Sequence, residues 1–198
     1  MTSGLRERKK LATRATLHLA ALELVAERGL DHVSVEDIAA RADVSPRTFF
    51  NYFPSKDDAV VGLDPATRES TAEAFRARPA EESPVEALRA VQREAAAEMA
   101  QDHELWPLRM KVIDAHPVLM GRLAAAFGES ERVLAEAVAA RTGTAVGVDA
   151  YPTLLAATSY TVMRTSLHRW LVSGFTASLP ALVDEAWDAL EAGLPAPS

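Results

Sequence analysis

Apolar residues recur at helical spacing along almost the whole chain. Leu17, Ala21, Leu24 and Val25 fall at i, i+4, i+7 and i+8, one stripe about 100° wide. Gly29, just beyond it, supplies a left-handed stop. Two very short segments come next, residues 34–42 and 45–53, joined by Asp43 and Val44. A fourth helix begins at Ser55 and stops near Asp64-Pro65, and a fifth covers 66–78. The breaker-rich run 79–84 reads as the linker of the chain. Beyond it the helices lengthen. Ser83 caps a helix with Pro84 at its first position, and Val85, Leu88, Val91, Ala95 and Met99 give it a buried face. Residues 106–115 form a short helix that ends before Pro117. Leu119, Leu123 and Phe127 open another, which Leu134 and Val138 continue to Arg141. Residues 143–148 are a loop, 151–173 a long helix apolar on more than one side, and Leu179, Leu182, Val183, Ala186 and Leu190 stripe the last helix, ahead of Pro195. Strand alternation, hairpin dipeptides and internal repeats are all missing. The predicted class is all-α, with about nine to ten helices.

The stretch 34–58 holds three helix starts. Ser34 and Ser55 are each followed three residues on by an acid, Asp37 and Asp58, the capping-box spacing. Ser45-Pro46 caps the start between them. Helices of two turns are marginal alone because nucleation is costly, so they need packing, which Val35, Ile38, Ala39, Val44, Phe49 and Phe53 supply. Two short helices joined by a tight turn make a helix-turn-helix, whose second helix fits a major groove about 12 Å wide. Helical phase turns Phe49 and Phe53 inward with Val44 and sets Arg47, Thr48 and Asn51 on the opposite side, with Phe50 and Tyr52 on the flanks. Arg can hold guanine, Asn adenine, and a threonine methyl or phenyl ring a thymine methyl. Ser45, Tyr52 and Lys56 are placed for phosphates. Each also has a plainer reading: Ser45 as cap only, Tyr52 as packing, Lys56 as a solvated cation.

Charge first argues against DNA and then for it. The formal net charge is −7. Residues 1–62, however, hold nine basic and nine acidic residues, and 63–198 hold twelve and nineteen, so the acidity lies in the larger part. Residues 1–14 hold five basic residues and one acid. Local positive charge is what a polyanion meets, because screening limits the reach to about 8–10 Å. Alanine occurs 38 times and arginine 17 times against four lysines, which favours helix. The chain has no cysteine, which excludes disulfides, thiolate catalysis and cysteine-ligated metal. No signal peptide or membrane span is found, and a cytoplasmic location is expected.

Taken as strings, Ala21-Leu-Glu-Leu-Val-Ala-Glu-Arg-Gly29, Val35-Glu-Asp-Ile-Ala39 and Val44-Ser-Pro-Arg-Thr-Phe-Phe-Asn-Tyr-Phe-Pro-Ser-Lys56 resemble the DNA-binding domain of the tetracycline-repressor (TetR) family over roughly residues 10–62. Phe53-Pro-Ser-Lys56 is the most specific piece. The resemblance implies a homodimeric repressor whose larger domain binds a small molecule and then releases a double-stranded DNA operator. Thr48, Tyr52 and Lys56 match the family's DNA-contact positions, and Ser45, Pro46, Arg47, Phe50 and Asn51 complete the expected DNA-binding set. Three residues depart from the pattern. Asp43 stands where the turn usually has glycine, Phe50 where a tyrosine commonly meets phosphate, and Arg47 where the residue is often small. The tract Gly4-Leu-Arg-Glu-Arg-Lys-Lys10, with Ser45-Pro-Arg-Thr-Phe-Phe50, is similar to an actinobacterial branch associated with fatty acyl-CoA effectors.

The expected organisation is therefore an N-terminal three-helix helix-turn-helix domain over 1–62, with a basic arm, and a larger ligand-binding and dimerisation bundle over 63–198. A ligand pocket in such a bundle is mostly apolar with a few aimed polar groups. Candidates are Met99, Trp106, Arg109, Met110, Phe127, Tyr160, Met163 and Arg164. Their helical spacing fits ordinary core as well. Arg109 and Arg164 would be the anion anchors if the effector carries a carboxylate or phosphate, with salt-bridged surface arginines as the plainer reading, and the effector expected is a small molecule, apolar or acyl-CoA-like. Leu155, Tyr160, Met163, Leu167, Trp170 and Leu171 with Leu179, Leu182, Val183, Ala186, Trp187 and Leu190 offer more apolar area than one core needs, which points to a homodimer through the last two helices. Scattered histidines and the lack of nucleophile-elbow, P-loop or dinucleotide motifs speak against an enzyme, and no metal or cofactor is expected. Two other readings stay open: a helical small-molecule-binding or catalytic domain that no longer reads DNA, and a DNA-binding activator or global repressor.

Overall fold

The computed structural model describes residues 3–62, 69–101 and 105–194, with side chains from residue 8 onward. The expected helix stop at Asp64-Pro65, the start at Ala66, the side chain of Arg6, His103 and the closing Pro195 lie outside the described residues. Ten α-helices and one 3-10 turn are found among the described residues: α1 (Ser3–Arg28), η1 (Leu30–His32), α2 (Val35–Arg41), α3 (Pro46–Phe50), α4 (Lys56–Val61), α5 (Ser70–Ala77), α6 (Pro84–Met99), α7 (Leu105–Asp114), α8 (Pro117–Thr142), α9 (Ala150–Val172) and α10 (Leu179–Glu191). No strand occurs among them, and the class is all-α. No helix of the described residues is long and apolar enough to cross a membrane.

The chain divides into two units, residues 1–63 with 104–124 and residues 64–103 with 125–198. A single cut at 62/63 therefore does not describe the division: α7 and the head of α8 belong with the N-terminal helices. The reason is one core. Leu17, Leu24, Ile38, Phe49, Phe53 and Val60 share it with Val112, Ile113 and Leu119. Polar bonds close the same unit. Arg122 on α8 pairs with Asp57 at 3.3 Å and Asp58 at 3.1 Å. His116 Nδ1 donates to the Val112 carbonyl at 2.8 Å, and its Nε2 accepts from the Leu30 N–H at 3.4 Å.

Local chemistry sets the helix ends in this unit. Ser34 caps α2 in a full capping box with Asp37, whose carboxyl is held below its ordinary range by the Ser34 hydroxyl and N–H. Glu36 and Asp37 in the first turn and Arg41 in the last complement the helix dipole. Gly29 ends α1 at φ 83, ψ 153, a region open essentially to glycine. Gly62 caps α4 at φ 69, and a Cβ there would lie 2.2 Å from Cε1 of buried His18, whose Nδ1 donates to the Ala59 carbonyl at 2.7 Å.

The second unit is built on α6, α9 and α10, which pack on one another. Ser83 and Glu86 form a capping box at the start of α6, with Pro84 in its first turn. Gln92 joins all three helices from the inside: its Nε2 donates to the Ser159 carbonyl at 2.6 Å, and its Oε1 accepts from Trp187 Nε1 at 2.9 Å. Arg89 clamps the outside through Asp184 at 2.9 Å and Asp188 at 2.6 Å.

Two expectations change here. Residues 79–84 are a turn within one unit rather than a linker, because α5 and α6 both belong to it. Arg141 of α8 stitches that turn, donating to the carbonyls of Phe75, Arg78, Pro79 and Glu82. The apolar surplus assigned to a partner is also mostly internal. Leu155, Leu167, Trp170, Leu179, Leu182, Val183 and Trp187 are buried within the single chain, because α6 covers the faces of α9 and α10 that helical phase alone left open. Gly62→Ala is expected to lower the unfolding free energy by about 2–4 kcal/mol, from left-handed strain plus the displaced imidazole. Urea denaturation measures it, and a variant as stable as the parent would contradict the contact.

Candidate nucleic-acid interface

The turn between α2 and α3 closes by backbone bonds alone. Val44 N–H donates to the Ala39 carbonyl at 2.9 Å and Asp43 N–H to that of Ala40 at 3.2 Å, the paired bonds of a Schellman ending. Such an ending needs one left-handed residue, and Asp43 takes it at φ 53. Aspartate tolerates that region at some strain, so the non-glycine turn expected from sequence is the one found.

The Ser45 hydroxyl then accepts from the Thr48 N–H at 3.0 Å and lies 2.8 Å from the Thr48 hydroxyl. Its capping role is therefore realised. α3 stops at Phe50, three residues short of the sequence reading. Asn51 and Tyr52 N–H groups tighten onto the carbonyls of Thr48 and Phe49, and Pro54 disfavours helix at the residue before it. Phe49 and Phe53 are fully buried, with ring centroids 5.9 Å apart. Opposite them Pro46, Arg47 and Asn51 are exposed and Thr48 is half-buried. Phe50 is 57% exposed, its ring edge-on to Phe49 at 5.4 Å.

Sequence reasoning missed what braces this helix. Arg14 of α1 donates to the Tyr52 carbonyl and lies 4.0 Å from the Phe53 ring centroid. Only the tertiary fold brings these residues together across 38 positions. Tyr52 is half-buried against the same core. Lys56 has a role that neither sequence reading foresaw: its ammonium donates to the carbonyls of Leu30 at 2.7 Å and Val33 at 3.0 Å, which ties η1 to the start of α4.

Several acids of this unit are paired with arginines. Arg41 holds Glu23 at 3.1 Å and Glu27 at 2.9 Å, and Arg28 lies 3.7 Å from Asp37. Asp57 and Asp58 face Arg122. Arg47 has no ion-pair partner among the described residues and stays open to an incoming anion.

The expected ligand residues separate. Trp106, Arg109 and Met110 sit on α7 in the first unit; Met99, Phe127, Tyr160, Met163 and Arg164 belong to the second. The structure brings together Trp106 with Arg109, whose guanidinium lies 4.6 Å from the indole centroid, and Phe127 with Tyr160, ring centroids 5.8 Å apart. Burial raises the Tyr160 hydroxyl pKa, against a hydrogen bond with Ser130 that lowers it. Arg164 is exposed, and Met99, Met110 and Met163 are half-buried. Arg109 is buried, not a surface salt bridge. No cluster able to hold a metal ion occurs among the described residues.

A capped short helix with its aromatic side buried and its polar side presented next to a left-handed turn defines a helix-turn-helix DNA-binding regulator. Comparison with known proteins agrees. Residues 18–60 match the family model for bacterial regulatory proteins, tetR family, and residues 82–195 that for the MftR C-terminal domain. The HTH-type transcriptional regulator TcmR of Streptomyces glaucescens is 31% identical over 195 residues, covering 94% of this chain and 86% of that protein. The fold is similar to that of Thermus thermophilus FadR in complex with lauroyl-CoA, with TM-score 0.55 and 25% identity over 93% of this chain and 96% of that one. It is also similar to the SmeT–triclosan complex, with TM-score 0.63 and 21% identity over 94% and 99%. The chain belongs to the tetR family of bacterial regulatory proteins. Lys56→Ala is expected to cost about 1–3 kcal/mol of stability without any DNA present, because two carbonyls lose their donor; thermal and urea unfolding of the free protein read it directly.

Proposed function

We propose that this protein is a homodimeric, ligand-responsive repressor that leaves a near-palindromic operator when a small-molecule effector binds. The observation that carries the reading is the exposed face of α3, where unpaired Arg47 stands with Asn51 and Phe50 on a helix whose other side is locked by Phe49 and Phe53. Arg47 and Asn51 read base edges, Thr48 and Phe50 meet thymine methyls, and Ser45, Pro46, Tyr52 and the remaining N–H of Lys56 follow the phosphates. Two such helices related by a two-fold axis would fall in successive major grooves, about 34–36 Å apart.

Support for dimerisation comes from α9. With its inner side buried against α6 and α10, it still presents Tyr151, Leu154, Thr161, Thr165, His168 and Val172 along one exposed line, Leu154 being 62% and Val172 74% exposed. Apolar residues left bare at both ends of a helix suit a self-complementary contact. Ligand response is supported by FadR with lauroyl-CoA and SmeT with triclosan, each a relative in fold that holds a small apolar or acyl ligand. Release would follow from differential affinity: an effector that prefers a spacing of the two DNA-binding heads unlike that of the operator shifts the population away from DNA.

Titration of the purified chain with duplex genomic fragments at several salt concentrations tests the reading. Affinity is expected to fall steeply as salt rises, with a slope that counts the phosphates neutralised; no binding at low salt overturns it. Arg47→Ala is expected to relax preference at one base position at a cost of about 1–3 kcal/mol. Selection from a randomised operator measures this, and an unchanged preference rejects base readout by Arg47.

A further inference from the structure

Helix α7 carries a buried guanidinium for which no acid partner is found among the described residues. Arg109 is 8% exposed, its Nε makes no hydrogen bond, and no ion pair or hydrogen bond of its Nη atoms is found among the described residues. Its guanidinium lies over the Trp106 ring, 4.6 Å from the ring centroid. The other shielded arginines are all matched: Arg78 by Glu82, Arg89 by Asp184 and Asp188, Arg141 by four carbonyls. Desolvation lowers the Arg109 pKa to about 10, which leaves it protonated at neutral pH. A full charge thus stands on a largely buried side chain, its Nε shielded and the outer edge of its fork left to solvent. Buried charges in proteins are paired or bind ions, so this one marks a place where an anion belongs.

We propose that Arg109 is the acid-recognising group of the effector site and that the effector is a monoanionic organic molecule, a carboxylate on an apolar body. This rests on the ligand-responsive reading above and narrows it. The planar fork matches a carboxylate bidentately, while Trp106 backs the guanidinium from its other side. Charge balance sets the class. One guanidinium compensates one negative charge, and Lys111, the other cation of α7, is exposed. A coenzyme A headgroup brings several phosphate charges, which Arg109 alone would leave uncompensated in a desolvated place. Arg164, the second candidate anchor, is exposed and takes no part.

The test uses the full chain with three probes: dodecanoate, dodecan-1-ol of the same chain length without the charge, and lauroyl-CoA. Calorimetry on the parent, Arg109→Met and Arg109→Lys is expected to show dodecanoate bound at least about tenfold more tightly than dodecanol by the parent. The preference is expected to vanish in Arg109→Met and to survive in part in Arg109→Lys. Ligand-free Arg109→Met is expected to melt at or above the parent, since the unmatched charge is gone. Equal binding of the acid and the alcohol, including no binding of either, overturns the proposal, as does an Arg109→Met variant that keeps the preference. A ligand-free Arg109→Met that melts several degrees lower also overturns it, because the guanidinium then has a partner in the resting protein. Lauroyl-CoA binding that depends on Arg109 as strongly as dodecanoate binding overturns the monoanion assignment. Operator release separates the two levels of the reading. Release by dodecanol as effective as by dodecanoate overturns the acid-recognition role and leaves ligand response standing; tight dodecanoate binding with DNA untouched keeps the Arg109 role and rejects ligand-driven release.

Discussion

Helices of seven, five and six residues, α2, α3 and α4, exist here because one core holds them. Nucleating a helix costs about 4 kcal/mol, and so few residues of propagation cannot offset it. Burying Phe49 and Phe53 completely is worth about 1.5–3 kcal/mol each, and Ile38, Val60 and Leu17 add to it from neighbouring elements. The orientation of Arg47 and Asn51 is therefore a by-product of packing. Phe49 and Phe53 fix the inner side of α3, and the DNA-facing side chains have only the outer side left.

The same core decides where the unit ends. Val112, Ile113 and Leu119 come from far along the chain and complete a surface that α1–α4 cannot close themselves. Arg122 and His116 then tie the same elements by polar bonds. The pairing of acids follows a related logic. Glu23, Glu27, Asp37, Asp57 and Asp58 would repel a phosphate backbone, and each faces an arginine.

What the sequence disclosed, and what it hid, follows the range of the interactions involved. The starts of α2 and α4 were legible because a serine and its acid lie three residues apart, and those of α3 and α6 because a capping serine precedes a proline. The left-handed Asp43 was legible because it stands where the resembling family has glycine. The inward pair Phe49 and Phe53 was legible from helical phase. Phase could not say which element would cover an apolar face, so Trp170 and Trp187 were read as facing a partner subunit when both are buried within the chain, Trp170 against Phe175 and Trp187 against Gln92 of α6. Lys56, Arg14 and Arg141 were misread or missed for the same reason: their partners are backbone carbonyls, which every residue has and no pattern marks. Arg109 lay between these cases. Its residue type suggested anion binding, but only the fold distinguishes a buried unmatched guanidinium from a surface one.

That guanidinium sits on a helix whose inner side chains belong to the DNA-binding core. Val112 and Ile113, three and four residues on from Arg109, pack with Leu17 and Leu24 of α1. A ligand can shift an equilibrium only by as much as it binds one state better than the other. An apolar molecule filling space near α7 would act through contacts that many arrangements could satisfy. A carboxylate meeting a desolvated charge is more demanding, since a fork with two parallel hydrogen bonds accepts a narrow range of positions. Any arrangement of α7 that improves that geometry is favoured strongly, and α7 cannot be re-seated without re-seating the residues that hold α1 and, through Phe49 and Phe53, the reading face of α3. Under the proposed role of Arg109, neutralising that charge would make the bound and free states differ most on the helix that the recognition surface leans upon.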